Sequence, residues 1–339
     1  MSKKTVGILL GDSSGVGPEI VAEVASKGFL TEKINPIIIG DVRQFEQGLK
    51  VKNISCEHYV LDKDFESADY SKGLPIYDLG DQDPGKVIMG QAQEYCGRGC
   101  LDQLDAACNL LKKGKICGFT YAPFHKGAMR SAGMPVESEA EYIASKFDIA
   151  SQIGEVNMIG DLMTFRVTSH IPVKEISNNL NVDNIYNTIM LGYKTVRQFG
   201  VSEPRIAVAG LNPHNGEEGK CGTEEIDVIA PAIKKAVEAG VNAVGPISGD
   251  VVMMRAFKGE FDAVITMFHD QGQIALKVNG IEKGVTIGGG LPYPITTPAH
   301  GTAFGRAGKG YASTSAFEYA VNVLARMVED KMNGLSYRY

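Results

Sequence analysis

The sequence lacks several features that mark whole classes of protein. Its 34 Lys and Arg residues against 40 Asp and Glu residues leave a formal charge of −6, so no basic excess is available to neutralise a nucleic-acid backbone. The first apolar run, residues 5–10, is too short for a signal peptide or a membrane span. The 6 cysteines include no Cys-x-x-Cys pair, which argues against a zinc ribbon and against a disulfide framework. We therefore expect a cytoplasmic protein with reduced thiols, a small-molecule substrate, and neither nucleic acid nor membrane as a partner.

Standard nucleotide motifs and flexible tethers are also missing. The chain has no internal repeat, low-complexity tract or long linker, so its 339 residues are expected to form two lobes joined by chain that passes between them. Two glycine-containing loops, 11–19 and 210–219, match neither the Walker pattern nor the G-x-G-x-x-G spacing of dinucleotide-binding proteins. A cofactor therefore cannot be assigned from a standard motif.

What the chain does contain is an alternation of short apolar runs with longer segments of helical periodicity. This alternation predicts an α/β protein with a largely parallel sheet. The predicted strands are 5–10, 36–39, 118–122, 163–168, 205–210 and 263–267. The clearest predicted helices are 17–27, 181–199, 223–239 and 314–333. Because ligands bind at the carboxyl ends of such strands, we expect the polar sequences that follow them to meet in one cleft.

Three of the 6 histidines come directly after predicted strands. They are His170, His214 and His269, and each lies in a polar segment. Neutral imidazole is the commonest protein ligand for transition metals, so this placement predicts a site for Zn²⁺, Mg²⁺, Mn²⁺ or Co²⁺ with positions left open for substrate. The competing interpretation of each histidine is a hydrogen-bonded loop residue.

Two lysines, and two loops near the end of the chain, are further candidates for binding or catalysis. Lys126 follows a predicted strand, and Lys277 lies 8 residues after His269. Near a metal, a lysine can act as a general acid or base or can bind a carboxylate or phosphate, whereas the alternative is a solvated surface lysine. Small residues in loops 300–304 and 307–310 would let the backbone approach an adenine ring, although a helix-entry turn fits their composition equally well.

As an ordered set, these segments resemble the 4-hydroxythreonine-4-phosphate dehydrogenase family of pyridoxine (vitamin B6) biosynthesis. The resemblance extends from the first predicted strand to the last predicted helix. The residues that carry it are Gly11-Asp12, Gly15-Val16-Gly17-Pro18-Glu19, Ser169-His170-Ile171-Pro172, Asn212-Pro213-His214, Gly216-Glu217, Gly219, Gly245-Pro246, Asp250, Phe268-His269-Asp270-Gln271-Gly272, Lys277, His300-Gly301-Thr302-Ala303 and Ala307-Gly308-Lys309-Gly310.

The resemblance implies an isopropylmalate dehydrogenase-like fold with two α/β lobes and a central cleft. Residues 1–125 and 276–339 would form a nucleotide-binding lobe, and residues 126–275 would form a metal-binding and dimerisation lobe. In the implied homodimer, the metal site lies at the subunit interface. One subunit would supply His170 and His214 and the other would supply His269.

The implied reaction is NAD- or NADP-dependent oxidation of a secondary alcohol, followed by metal-assisted loss of CO₂ from the β-keto acid. By motif, the catalytic residues would be Lys126, Asp250 and Lys277. The cofactor-binding residues would be His300, Gly301, Thr302, Ala303 and Gly308. The substrate-binding positions would be Glu139, Ala140, Lys277, Thr286 and Ile295.

Several substrate-binding positions differ from the biosynthetic enzymes. A Gly-His-Thr-Glu stretch of the family reads Ser138-Glu139-Ala140-Glu141 here, Thr286 replaces an Asn, and Ile295 replaces a phosphate-binding Arg. Isoleucine cannot replace the bidentate contact of a guanidinium with phosphate, which leaves the substrate open. Alternative substrates are a sugar-acid phosphate such as threonate 4-phosphate and a carboxylated cyclohexadiene diol. A metal-dependent lyase or hydrolase that has lost the nucleotide and a non-enzymatic metal or metabolite sensor are the alternative functions.

Overall fold

The computed structural model describes residues 3–149, 153–280 and 284–330. These residues have a mixed α/β fold in which most neighbouring strands are parallel, as the alternating sequence pattern predicts. The chain divides into two compact units. The first contains the described residues of Met1–Ala150, Val285–Ile287 and Leu291–Glu329, and the second contains those of Ser151–Gly284, Gly288–Gly290 and Asp330–Tyr339.

The described residues form twelve strands and eleven α-helices. The strands are β1 (Thr5–Leu9), β2 (Asn35–Gly40), β3 (His58–Val60), β4 (Leu74–Asp78), β5 (Phe119–Tyr121), β6 (Gly154–Ile159), β7 (Leu162–Arg166), β8 (Ile206–Ala209), β9 (Ala243–Ile247), β10 (Ala263–Thr266), β11 (Gly284–Gly289) and β12 (Ile295–Pro298). The helices are α1 (Gly17–Ser26), α2 (Phe29–Lys33), α3 (Val42–Lys52), α4 (Glu94–Lys112), α5 (Lys126–Ser131), α6 (Glu139–Ser145), α7 (Val182–Gln198), α8 (Ala230–Glu238), α9 (Gly249–Phe257), α10 (His269–Val278) and α11 (Ser315–Asp330).

In the first unit the strands follow the order β3-β4-β2-β1-β5-β12-β11. Neighbours are parallel except for β12 and β11, which are antiparallel. The apolar residues of β1 and β2 are fully buried, as expected for parallel strands covered on both faces. Val6 and Ile8 belong to one hydrophobic core with Ile20 of α1, Phe45 of α3 and Phe317 of α11. These contacts fix α1 against the sheet.

In the second unit the order is β6-β7-β10-β8-β9. Strands β6 and β7 form an antiparallel hairpin, and the remaining neighbours are parallel. Ala207 of β8 and Val264 of β10 share a hydrophobic core with Val252 of α9 and Leu276 of α10. This packing places the carboxyl ends of β7, β10 and β8 side by side, and the candidate histidines follow these ends.

The borders of the units lie later in the chain than residues 125 and 275, where the sequence analysis divides the lobes. Helix α5 belongs to the first unit because it packs on α4 with direct backbone contact. A Cβ atom added to Gly97 of α4 would lie 2.1 Å from the carbonyl oxygen of Ala128 in α5. Helix α10 belongs to the second unit because Leu276 is part of that core. Lys126 and Glu139 therefore lie in the first unit, and Lys277 lies in the second.

Two expectations from the sequence, which concern membrane spans and the state of the cysteines, can be compared with the fold. Among residues 3–149, 153–280 and 284–330, no helix combines the length and the hydropathy that a membrane span requires. All six cysteines are free thiols, as the absence of paired cysteine motifs predicts. Three of them, Cys96, Cys100 and Cys108, are buried in α4.

Candidate active site

The candidate metal ligands follow three neighbouring strands of the second unit. His170 comes after β7, His269 begins α10 directly after β10, and His214 comes after β8. Strand β10 lies between β7 and β8 and is parallel to both, so the three carboxyl ends share one edge of the sheet. The structure brings two of these side chains together, since the ring centroids of His170 and His269 are 5.7 Å apart.

The His170–His269 pair has a geometry that fits two ligands of one divalent ion. Two imidazole nitrogens at about 2.0–2.1 Å from a shared metal place their ring centres roughly 5 Å apart. His269 Nδ1 lies 2.7 Å from Asp270 Oδ1. A carboxylate in this position orients a metal-binding histidine and leaves its Nε2 atom for the ion. His170 is exposed and His269 is partly exposed, so an ion can reach both rings.

His214 lies on a turn with a rare backbone conformation. All five residues of His214–Glu218 have positive φ angles, between 45° and 78°. An L-residue in the left-handed region costs about 1–2 kcal/mol, so neighbouring contacts must stabilise this turn. Buried Glu225 supplies such contacts, because its carboxylate accepts hydrogen bonds of 2.7 Å from the backbone N–H groups of Leu211 and Asn212.

His214 does not complete a three-histidine cluster within one chain. In the part of a single chain that the structure describes, no three His, Cys, Asp or Glu side chains are arranged to hold a metal ion. His214 instead interacts electrostatically with Asp250, whose pKa is lowered first by the hydrogen bond from Ser248 and further by His214. The Ser248 hydroxyl donates to Asp250 Oδ1 at 2.6 Å. The resemblance implies that His269 joins His170 and His214 of the other subunit, whereas here the adjacent rings are His170 and His269 of one chain. A third ligand to this pair would have to come from elsewhere, such as the second subunit of the implied homodimer.

Gln271 positions this edge of the sheet, although the sequence analysis gives it no role. Its Oε1 atom accepts the backbone N–H of Met267 at 2.8 Å, and its Nε2 atom donates to the carbonyl of Gly210 at 2.7 Å. The side chain therefore connects the end of β10 to the end of β8. Its only signal in the sequence was its place two residues after His269. Lys277, which is exposed, lies two turns further along α10, about 12 Å from His269 along the helix axis.

The first unit assembles a second group of polar residues around the loop after β1. Asp12 is fully buried, and its Oδ1 atom accepts hydrogen bonds from the backbone N–H and the hydroxyl of Ser14 at 2.8 and 2.6 Å. No described residue hydrogen-bonds to Asp12 Oδ2, and burial raises the pKa of this carboxyl. The buried amide of Gln103 bonds both backbone groups of Gly11, at 3.0 and 2.9 Å. These buried hydrogen bonds therefore stabilise the conformation of the loop.

Lys126 and Glu139 form an ion pair in this unit. Lys126 Nζ lies 3.3 Å from Glu139 Oε2, and each residue begins a short helix. Glu139 and the adjacent Ala140 are buried, with 6% and 8% of their surface exposed. His125 precedes Lys126, and its ring stacks on Phe304 with centroids 5.0 Å apart. Of the residues proposed from sequence, the structure thus places Lys126 beside Glu139 and both in the unit that contains Phe304.

The proposed cofactor-binding residues lie in the loop between β12 and α11. Thr302 is buried, and its carbonyl accepts the N–H of Val16 at 3.0 Å. Gly15 permits this close approach, because an added Cβ would lie 2.9 Å from Thr302 Cβ. Ala303 has a φ of 47°. The remaining proposed residues are partly or fully exposed and are His300, Gly301 and Gly308.

Two proposed substrate-binding residues lie within strands. Thr286 of β11 is opposite Thr297 of β12 in the antiparallel ladder. Ile295 begins β12, pairs in register with Phe119 of β5, and is 2% exposed. The Ile295 side chain therefore contributes to the packed interior of the first unit, where a charged side chain would be costly to bury.

These observations define the class of the protein as an α/β protein whose strand-end loops carry imidazole, carboxylate and ammonium groups. The chain belongs to the PdxA family, described as pyridoxal phosphate biosynthetic protein PdxA, which matches residues 32–324. The family resemblance inferred from the motifs is therefore confirmed.

Similar proteins match over nearly their whole length. A Pasteurella multocida protein named provisionally as 4-hydroxythreonine-4-phosphate dehydrogenase is 36% identical, over 98% of this chain and 99% of its own. A Halalkalibacterium halodurans protein named provisionally as D-threonate 4-phosphate dehydrogenase is 33% identical, over 96% of this chain and 98% of its own. The crystal structure of 4-hydroxythreonine-4-phosphate dehydrogenase from Klebsiella pneumoniae superposes with a TM-score of 0.86 at 30% identity, covering 96% of this chain and 98% of that one.

Proposed function

We propose that this chain is a dehydrogenase that uses a divalent metal and NAD or NADP to oxidise the secondary alcohol of a small hydroxy acid. Loss of CO₂ from the resulting β-keto acid follows. The observation that carries the proposal is the His170–His269 pair, backed by Asp270, in a member of the PdxA family. An isopropylmalate dehydrogenase-like arrangement of the lobes, a homodimer with shared metal ligands and a cytoplasmic location are parts of the same proposal.

The metal would be held by His170, His214 and His269, with Zn²⁺, Mg²⁺, Mn²⁺ and Co²⁺ as candidates. A divalent ion bound there supplies Lewis-acid stabilisation of the negative charge that develops on substrate oxygen. His269 Nδ1 lies against the Asp270 carboxylate, which leaves Nε2 as the ring nitrogen available to the ion. Asp250 is ionised at neutral pH, since its pKa is lowered, and its exposed carboxylate can accept a hydrogen bond from the substrate alcohol.

Proton transfer, substrate binding and cofactor binding are assigned to the two lysines, to Asp250 and to the loop between β12 and α11. A bound nicotinamide would accept the hydride of the alcohol, so the protein must provide a base for the alcohol proton and an acid for the product carbon after loss of CO₂. We assign donation of a proton to the product carbon to the Lys126 ammonium, which is held by buried Glu139, and binding of the substrate anion to Lys277. The alcohol proton would pass to the ionised Asp250. The cofactor would be bound by His300, Gly301, Thr302, Ala303 and Gly308.

The similar proteins favour two phosphorylated four-carbon acids as substrates. The relatives from Pasteurella multocida and Halalkalibacterium halodurans support 4-hydroxythreonine 4-phosphate and D-threonate 4-phosphate respectively, at similar identities of 36% and 33%. Because Ile295 is buried and apolar, phosphate binding would depend on Lys277 and on backbone N–H groups.

The test is formation of NADH or NADPH with a panel of substrates. The panel contains 4-hydroxythreonine 4-phosphate, D-threonate 4-phosphate and a carboxylated cyclohexadiene diol, each assayed with and without chelator and then with metal restored. We expect one of the phosphorylated acids to reduce NAD(P), and we expect chelation to abolish and added metal to restore this activity. Activity indifferent to chelation would contradict the metal role, and failure of metal-loaded protein to reduce NAD(P) with any substrate would favour the lyase alternative.

A further inference from the structure

A buried carboxylate lies beneath the loop that would bind the nucleotide. Glu19 of α1 is 3% exposed, and its Oε2 atom accepts the backbone N–H of Gly310 at 3.3 Å. The backbone N–H of Gly308 stabilises the same carboxylate. Gly308 and Gly310 have φ angles of 73° and 74°, which residues with a side chain rarely adopt. The loop therefore follows a backbone path that glycine permits and that directs two N–H groups to Glu19.

A buried ammonium accompanies this carboxylate. The side chain of Lys52, at the end of α3, is 6% exposed and pairs with Glu23 Oε2 at 2.5 Å. Lys52 Nζ also donates to the carbonyl of Ala312 at 3.0 Å, and its charge stabilises the ionised form of Glu19. The loop is thus attached to Glu19 through the N–H group of Gly310 and to Lys52 through the carbonyl group of Ala312.

The other end of the same loop is attached through the backbone hydrogen bond from Val16 to Thr302. Between these attachments, the loop presents an exposed segment that contains Gly305, Arg306, Gly308 and Lys309. The loop is therefore fixed at both ends and open to a ligand in the middle.

Burial of the Glu19 carboxylate lowers the stability of the fold, so a purely structural role does not explain this residue. Its Oε1 atom is buried and has no hydrogen-bond partner among the described residues. A carboxylate oxygen without a partner in the interior lowers stability, and burial raises the pKa of Glu19 accordingly. Its hydrogen bond goes to Gly310 of the loop, and the backbone N–H of Gly308 also stabilises its carboxylate, so its benefit lies in the conformation of that loop.

We propose that Glu19 is a positioning residue for nucleotide binding. It holds the N–H groups of Gly308 and Gly310 so that the exposed segment between Thr302 and Ala312 is shaped for the nucleotide before binding. Preorganisation of this kind raises affinity because the loop loses less conformational freedom when the ligand binds. The inference rests on the proposed function, since it names the residue that shapes the proposed cofactor site.

The experiment compares three variants of the full chain, Glu19→Ala, Glu19→Gln and Val24→Ala. Val24 lies on the same helix and belongs to its hydrophobic core, so Val24→Ala is a matched control that lowers stability through packing. For each protein, calorimetry gives the Kd of NAD and of NADP, thermal unfolding gives Tm, and kinetics give KM for nucleotide and for hydroxy acid.

We expect Glu19→Ala to raise the nucleotide Kd and KM about tenfold and to leave the hydroxy-acid KM within about twofold. Glu19→Gln should raise the nucleotide Kd only about threefold, because the amide oxygen still accepts from Gly310, and this variant carries the test if Glu19→Ala does not fold. Val24→Ala should lower Tm without changing nucleotide affinity.

Two results would overturn the assignment alone: unchanged nucleotide affinity in the folded Glu19 variants, or an equal loss of affinity in Val24→Ala. Absence of NAD(P) binding to the metal-loaded wild-type chain would instead overturn the proposed function, and this assignment with it.

Discussion

The buried carboxylates of the first unit and the candidate metal-binding histidines of the second unit are held in opposite ways. In the first, Asp12, Glu19 and Glu139 are 0%, 3% and 6% exposed, and each contacts backbone N–H groups or an ammonium group. In the second, His170 and His214 are exposed on loops that follow strands. Buried, hydrogen-bonded groups are fixed when the protein folds, whereas exposed groups acquire partners when a ligand binds. The first unit thus has a preformed polar site, and the second offers ligands for a metal.

Replacing a candidate metal ligand should have the largest effect on activity and a small effect on stability. We expect His214→Ala to lower kcat/KM by about a thousandfold or more, because the metal stabilises charge in the transition state. Its Tm should stay within about 2 °C of the wild-type value, because the side chain is exposed. His58→Ala is the control, since His58 lies in the first unit beside Glu46. Equal activity in both variants would remove His214 from the site.

Substitution of Lys126 should have the next largest effect on activity. A second substitution, at Glu139, separates the contribution of Lys126 to stability from its contribution to catalysis. Lys126→Met leaves the buried Glu139 carboxylate without this ammonium, so we expect a loss of about a hundredfold in kcat and a Tm lower by a few degrees. Adding Glu139→Gln should restore Tm, because the buried carboxylate that lost this ammonium is now neutral, but should not restore kcat. Recovery of both quantities in the double variant would show that Lys126 serves stability alone.

The smallest predicted effect concerns another buried carboxyl of the first unit. Burial, together with the nearby Asp102, raises the pKa of Asp81 to about 7. A carboxyl whose pKa is raised by folding stabilises the folded state when protonated, and this stability is lost as the pH rises from about 4 through 7. Asp81→Asn should therefore increase the free energy of unfolding at pH 8 by about 1–3 kcal/mol and change it little at pH 4.

Urea unfolding at the two pH values measures this difference. Exposed Asp64 provides the control, because Asp64→Asn should alter neither value. A stability gain at pH 4 equal to that at pH 8 would mean that titration of Asp81 is not its cause.

The elements predicted from sequence are those with dense apolar patterns. Strands β1, β2, β5, β7, β8 and β10 and helices α1 and α7 occur where predicted, and the predicted helix 314–333 corresponds to α11 up to Asp330, with residues 331–333 outside the described part. Strand β11 was not predicted, because glycines occupy half of Gly284–Gly289 and leave few side chains to form an apolar pattern. The predicted helix 223–239 starts instead with a π-helical turn, Glu225–Ile229, because Pro231 lacks the N–H group that a regular α-helix needs.

In the candidate site, too, only residues with a local signal in the sequence could be predicted. Histidines after strands could be recognised because the position of a strand end is local information. The roles of Gln103 and Glu19 could not, since their partners lie 92 and 291 residues away in the chain and no spacing rule connects them. The burial of Ile295 likewise depends on the pairing of β12 with β5, which the sequence does not reveal.

The contrast between a preformed polar site and a ligand-dependent metal site is tested most directly by two titrations of one variant. Divalent metal and NAD(P) are titrated separately into the wild-type chain and into His214→Ala. We predict that the variant binds metal at least about tenfold more weakly and binds NAD(P) with a Kd within about twofold of wild type. Metal binding equal to wild type, or loss of metal and nucleotide binding together, would contradict this account.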